Sequence, residues 1–215
     1  MHPMRSLALF LLAILSACGG TPTLAEGEGK GLLSADREPP AGAETASRPT
    51  WRQGERFIYR RGNAQRFALR VVAAGDAGYV LEDEDSLLRT RLSLDFGEAG
   101  QELPEDPESV RVYAPADARY SWPLWVGKRW TTQYLFKAPG RPALPFLATY
   151  VCDAIEEVKV PAGKFRCYRV WRRVRPATEG SFLERVTLSW YAPEVGALVK
   201  RLDESVLVEL DETSR

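Results

Sequence analysis

Trp130-Thr131-Thr132-Gln133-Tyr134-Leu135-Phe136 alternates bulky and small or polar side chains at every step. Trp130, Thr132, Tyr134 and Phe136 fall on one face, and Thr131, Gln133 and Leu135 on the other. A period of two marks a strand with one buried face. The same rhythm recurs on both sides. Phe67, Leu69 and Val71 alternate with Arg66, Ala68 and Arg70, and Leu88 to Phe96 alternates throughout. Phe182, Val186, Leu188 and Trp190 share a face, and Val206, Val208 and Leu210 repeat the pattern near the end. Gly75-Asp76-Ala77-Gly78, Pro139-Gly140, Pro161-Ala162-Gly163 and Pro193-Glu194-Val195-Gly196 separate these runs with turn chemistry.

No segment carries a convincing helical stripe. A large antiparallel sheet without a covering helix must curl to hide its apolar face and its edges. The expected fold class is therefore all-β: a curved, mostly antiparallel meander forming a half-barrel, a clam or a closed barrel. Residues 97–128 break the rhythm with Pro104, Pro107, Pro115 and Pro123. They read as a long excursion holding one short strand near Val110–Tyr113.

Composition divides the chain into three parts. Residues 1–17 hold Arg5 followed by nine apolar residues, Leu7 to Leu15. That is a secretory signal pattern, and it is too short for the ~20 residues of a membrane-spanning helix. Residues 18–50 contain no aromatic residue and are rich in Gly, Ala, Pro, Glu and Thr, which predicts a flexible tether. Residues 51–215 carry all six tryptophans and have the size of a single β domain. Gly27-Glu28-Gly29-Lys30-Gly31 lacks the flanking strand and helix of a phosphate loop and belongs to the tether.

The run Leu15-Ser16-Ala17-Cys18 resembles the lipobox of bacterial lipoproteins. The resemblance implies lipidation of Cys18, loss of residues 1–17, and anchoring by more than one acyl chain, such as palmitate. Gly19 rather than Asp follows the cysteine, which in such proteins favours the outer membrane. The implied partner is the membrane of a bacterial cell envelope. Val158-Lys159-Val160-Pro161-Ala162-Gly163-Lys164-Phe165, Trp190-Tyr191-Ala192-Pro193-Glu194-Val195-Gly196 and Gly127-Lys128-Arg129-Trp130 resemble the V-x-x-P-A-G-x-F, W-Y-x-P-x-x-G and G-x-x-W segments of an uncharacterised family of envelope β-proteins. That resemblance implies a long curved sheet and supplies no catalytic residue.

The inventory narrows the chemistry. The one histidine, His2, lies in the signal segment. Without it, Ser-His-Asp and Cys-His relays and His-ligated metals are absent from the mature chain. No Ser-x-x-Lys or Gly-x-Ser-x-Gly occurs. The full chain has 29 basic and 29 acidic residues, so charge makes no case for nucleic acid. The reading is non-enzymatic, with no cofactor and no metal. The acidic runs Glu82 to Asp85 and Glu102 to Glu108 lack the Asp/Asn-Gly spacing of a calcium loop and read as solvated loops. No pair of carboxylates stands out for glycoside hydrolysis.

Cys152 and Cys167 invite a disulfide in an oxidising compartment. With Pro161–Lys164 as the turn, however, the two lie six residues apart along the ladder, roughly 20 Å. A bulge would be needed to bring them together, so a disulfide and two free buried thiols stand level. Arg166, Arg169, Arg172, Arg173 and Arg175 crowd one strand with Tyr168 and Trp171. Arg169, Trp171 and Arg173 form a candidate partner surface, although pairing with Glu156, Glu157 and Glu184 explains the arginines without a ligand. Trp130, Tyr134, Phe136 and Trp190 are the candidate lining of an apolar ligand cavity. Two functions follow: a lipoprotein whose curved sheet binds an amphiphile or envelope component, or an assembly subunit acting through its outer surface.

Overall fold

The computed structural model describes residues 31–62, 65–178 and 183–214. Its strands are β1 Gly31–Ala35, β2 Arg56–Arg61, β3 Gln65–Gly75, β4 Gly78–Asp83, β5 Arg89–Leu92, β6 Glu98–Leu103, β7 Asp106–Asp117, β8 Arg129–Lys137, β9 Leu144–Val160, β10 Gly163–Pro176, β11 Arg185–Ala192, β12 Ala197–Asp203 and β13 Val206–Ser214. Strands β2 to β13 pair antiparallel with their sequence neighbours. β13 pairs with β2, which closes the meander into a twelve-stranded barrel. Closure removes the edges that an open sheet would leave exposed. The expected curl is thus complete.

Several sequence expectations need correction. The excursion at 97–128 contains a hairpin, β6 and β7, that completes one side of the barrel. Its prolines disguised it. Pro107 lies next to the start of β7. Pro115 falls where the β6–β7 register jumps from Gly100↔Val112 to Glu98↔Asp117, so it owes no ladder hydrogen bond. The strand expected through Phe96 stops at Leu92. Phe96 turns to φ 61° and sends its ring into the core, stacked 4.9 Å from Tyr79 and edge-on 4.5 Å from Trp51. Phe182 lies outside the described residues.

The tether boundary also moves. β7 leaves β8 after Ala114↔Leu135, and β1 takes up the vacated edge along Trp130–Gln133. Ala46 bridges Leu124 and is buried. Residues 31–50 are therefore built onto the barrel rather than lying free of it. The Cys18 assignment lies outside the described residues.

The outer wall carries charge. Arg56, Arg70, Glu82, Arg89 and Glu102 stand opposite one another across β2 to β6. Arg89 reaches Glu82 at 2.8 Å and Arg56 reaches Glu84 at 2.7 Å. A membrane-spanning barrel needs an apolar band on this face. Across β2 to β6 charged residues and ion pairs occupy that face instead. The β9–β10 hairpin runs on past Tyr168↔Tyr191, the last pair of β10 with β11. Ala162 N at its tip donates to Leu210 O of β13 at 3.1 Å. Val158, Val160 and Cys167 of this overhang join one core cluster with Val195, Val199 and Leu210.

Candidate ligand cavity

The barrel encloses a cavity of about 460 Å³, within the ~300–1,000 Å³ of small-molecule sites. Period-two alternation aims its lining inward. Tyr59 of β2, Phe67 and Leu69 of β3, Leu81 of β4 and Leu92 of β5 make an apolar wall. The remaining strands supply Tyr113, Tyr134, Tyr150, Arg172, Thr187, Ser189 and Arg201, the last on β12, two strands from β2. The leucines of β3 to β5 thus form an apolar stretch, and the polar groups stand on other strands among further apolar side chains, Phe136, Phe146, Val170, Val174 and Leu198. Trp51 and Trp122 contribute to one end. Trp51 packs 5.2 Å from Phe57 and donates from Nε1 to Gly196 O at 2.8 Å. Tyr120 stacks on Trp122 at 5.1 Å. Arg61 and Arg185 also line the cavity and are themselves exposed.

The polar side is organised around Asp117, which is fully buried. Arg172 Nη2 donates to Asp117 Oδ2 at 2.7 Å and to Tyr134 Oη at 3.0 Å. The Tyr150 hydroxyl donates to Asp117 Oδ1. Burial, with Asp117 beside it, raises the Tyr150 phenol well above its ordinary range, so the proton stays in place. Arg119 pairs with buried Glu98. Tyr113 and Tyr120 are each pushed up to about 12, chiefly by burial. Both buried carboxylates are thus held by arginines.

The sequence candidates distribute unevenly over this frame. Tyr134 and Phe136 line the cavity. Trp130 shares their strand face, but its ring lies flat against Tyr150 at 5.0 Å and its Nε1 donates to Ala118 O at 2.8 Å. It is a core plug behind the lining. Trp190 requires a larger correction. Its neighbours Ser189 and Tyr191 line the cavity, whereas Trp190 lies on the opposite strand face. There its Nε1 donates to Glu156, and Lys200 Nζ sits 5.4 Å from its ring.

Arg169, Trp171 and Arg173 fall outside the cavity lining, alternating with the lining residues Val170, Arg172 and Val174. Arg169 grips Asp153 through both carboxylate oxygens at 2.9 and 2.8 Å, and Trp171 Nε1 donates to the same group at 2.7 Å. Arg173 reaches Glu184 at 3.9 Å. Cross-strand pairing thus occupies these arginines. Glu82 and Glu84 of the acidic run are likewise held by Arg89 and Arg56.

Cys152 and Cys167 are free and buried. The turn is tighter than expected, with Val160 paired to Gly163, and a register shift follows Arg169. Cys152 therefore stands opposite Val170, three residues from Cys167. That offset, about 10 Å along the ladder, exceeds the ~7 Å Cα separation a disulfide tolerates.

The interior arginines and Asp117 were not singled out from sequence as a site. Arg172 was visible only as one of a row of strand arginines, and alternation says which residues share a face, not which face turns inward.

No protein-family model matches the chain, and no curated protein matches it in sequence. Solved structures show some likeness, among them three bacterial proteins. The hypothetical lipoprotein YmcC from Escherichia coli is 12% identical over 73% of this chain and 84% of that chain, with a TM-score of 0.45. A protein from Bacteroides fragilis, described as exported and of YmcC-like fold, is 16% identical over 79% of this chain and 100% of that chain, with a TM-score of 0.42. A protein from Parabacteroides distasonis described as a lipoprotein is 9% identical over 80% of this chain and 100% of that chain, with a TM-score of 0.41. Likeness at this level leaves the function to be argued from the cavity itself.

Proposed function

We propose that this chain is a lipid-anchored, non-enzymatic protein of the bacterial cell envelope whose barrel holds an amphiphile. The observation that carries the reading is the mixed lining of the cavity. Leu69, Leu81 and Leu92 offer an apolar stretch, and Tyr134, Tyr150, Arg172 and Arg201 offer polar groups elsewhere in the same lining. A molecule with a greasy part and a polar part satisfies both kinds of lining at once, whereas a purely apolar or purely polar ligand leaves one unmatched. The charged outer ladder supports a barrel that stands in water. Attachment to the membrane, favoured at the outer membrane, then falls to an acyl anchor on Cys18.

Organic extraction of the purified protein followed by mass spectrometry tests the cavity. A stoichiometric amphiphile is the expected result. A protein that carries none, and that takes up no added long-chain compound, overturns the reading. Metabolic labelling with a fatty-acid probe tests the anchor. Label should appear in the natural chain and vanish in Cys18→Ser.

A further inference from the structure

The charges inside the barrel do not cancel. Arg61, Arg119, Arg172, Arg185 and Arg201 line the cavity, against Glu98, Asp203 and, behind Arg172, Asp117. Three of the arginines are spoken for: Arg172 by Asp117, Arg119 by Glu98, and Arg185 by Glu204 at 3.3 Å. Arg201 differs. Among the described residues no carboxylate comes within the 4 Å of an ion pair, a lack it shares only with exposed Arg61 of the five, and its Nε, like that of Glu98-paired Arg119, is buried without a hydrogen-bond partner. Asp203, the nearest acid in sequence, instead accepts from Thr187 Oγ1 at 3.3 Å.

A guanidinium keeps its charge at any ordinary pH, so it cannot shed the cost of burial by losing a proton. Burial and the neighbouring Arg119 both disfavour the charged form of Arg201, against weaker help from Asp203, Glu98 and Tyr59. Arg61 adds a second positive charge nearby. Arg201 stands opposite Val208, and Val208 opposite Arg61. Two strand spacings, about 10 Å, therefore separate the two backbones. Arg61 has its guanidinium 5.0 Å from the Phe67 ring.

Resting on the amphiphile reading above, we infer that the ligand is anionic, with a carboxylate or phosphate head held at Arg201 and an aliphatic tail along Leu69, Leu81 and Leu92. The head supplies the acceptor that the buried Nε lacks and the negative charge that the cavity lacks. Exposed Arg61 and Arg185 draw such a molecule toward the interior. Both the carboxylate of a fatty acid and the phosphate of a lipid carry the required chemistry.

The test is quenching of tryptophan fluorescence in the full chain carrying Cys18→Ser, which keeps the anchor's own acyl chains out of the measurement. Trp51 and Trp122 line the cavity and report entry. Brominated dodecanoate is the probe, displaced in turn by dodecyl phosphate, dodecyl maltoside, dodecyltrimethylammonium, acetate and inorganic phosphate. The two anionic amphiphiles should bind at least ~10-fold more tightly than the neutral and cationic ones, because a charge-assisted hydrogen bond is lost with the latter. Acetate and phosphate should not displace the probe. Their relative affinity, dodecanoate against dodecyl phosphate, distinguishes a fatty-acid head from a lipid phosphate. Arg201→Gln should erase the preference for anions, and Arg201→Lys should keep most of it, with thermal melts showing that both variants fold.

Equal binding of neutral and anionic compounds overturns the charge assignment and leaves the amphiphile reading standing. So does an Arg201→Gln variant that binds dodecanoate unchanged. Displacement by inorganic phosphate alone, as strong as by dodecyl phosphate, overturns it in favour of a small-anion site. Failure of every twelve-carbon compound sinks both readings. If Arg201→Gln does not fold, the ranking of ligands on the unsubstituted cavity still decides.

Discussion

Arg172 and Asp117, 55 residues apart in sequence, meet inside the barrel with Nη2 2.7 Å from Oδ2. Tyr134 and Tyr150 complete the contact, so four strands, β7 to β10, converge on one polar knot. Taking one charge from a buried pair leaves the other uncompensated, which costs about 3–5 kcal/mol. With Arg119 Nε still 3.8 Å from Asp117 Oδ2, Arg172→Met should destabilise by up to about that amount in urea unfolding. Adding Asp117→Leu should recover only part of the loss, because it removes the stranded carboxylate but leaves the buried Tyr150 hydroxyl without its acceptor. A single variant costing no more than an ordinary surface substitution would show that the knot is not held as described.

The two cysteines give a chemical check on the register of β9 and β10. Burial pushes both thiols up to about 12. The thiolate is the reactive form, so neither should react with a thiol reagent at mildly alkaline pH while the protein is folded. Both should react once denaturant opens the barrel. Mass measurement without reductant should find two free thiols. A mass lower by two hydrogens would mean that β9 is paired in a different register from the one described.

How far the sequence could be read follows from what a period of two does and does not encode. Alternation at Phe67–Val71, Trp130–Phe136 and Val206–Leu210 located β3, β8 and β13, and the Pro161-Ala162-Gly163 turn located the long hairpin. Curling followed from the want of a covering helix. The strand β1 was hidden because Leu32 and Leu33 are its only bulky residues and its partner is far away in sequence. Trp190 was placed on the wrong side because the interior is polar along β11. Arg185, Thr187 and Ser189 look like an outer face until the barrel shows that they turn inward. Polar side chains that face the interior invert the usual inference from polarity to exposure. Tyr134 and Phe136 were legible because their side of β8 is both aromatic and inward.

Asp153 sets part of the acid limb of stability. Burial pushes its pKa up, but the hydrogen bonds from Arg169 and Trp171 outweigh burial and hold it below the ordinary value of 3.8. A carboxyl depressed in the folded state stabilises at pH above its unfolded pKa. That stabilisation fades as pH falls through the lower folded value. Unfolding midpoints of the natural protein should therefore drop as acid protonates Asp153. Asp153→Asn should lose up to about 1 kcal/mol at neutral pH, since the group is partly screened by solvent, and should show a shallower acid limb. An unchanged limb in the variant would remove Asp153 from the account.

Gly78 should be the least replaceable glycine of the apolar wall. It opens β4 at φ 119°, and a Cβ there would lie 2.0 Å from Leu92 O and 2.9 Å from Ser93 C. Both obstacles are backbone, so no side-chain rotation relieves them. Gly54, at φ 95°, has nothing within 4 Å of its would-be Cβ. Gly54→Ala should cost about 1 kcal/mol from strain alone. Gly78→Ala adds the displacement of β5 and should cost about 2–5 kcal/mol. Leu92 lines the cavity, so the same displacement should weaken dodecanoate binding in Gly78→Ala and leave it intact in Gly54→Ala. Equal losses of stability and binding in the two variants would show that the wall at Leu92 does not depend on this close approach.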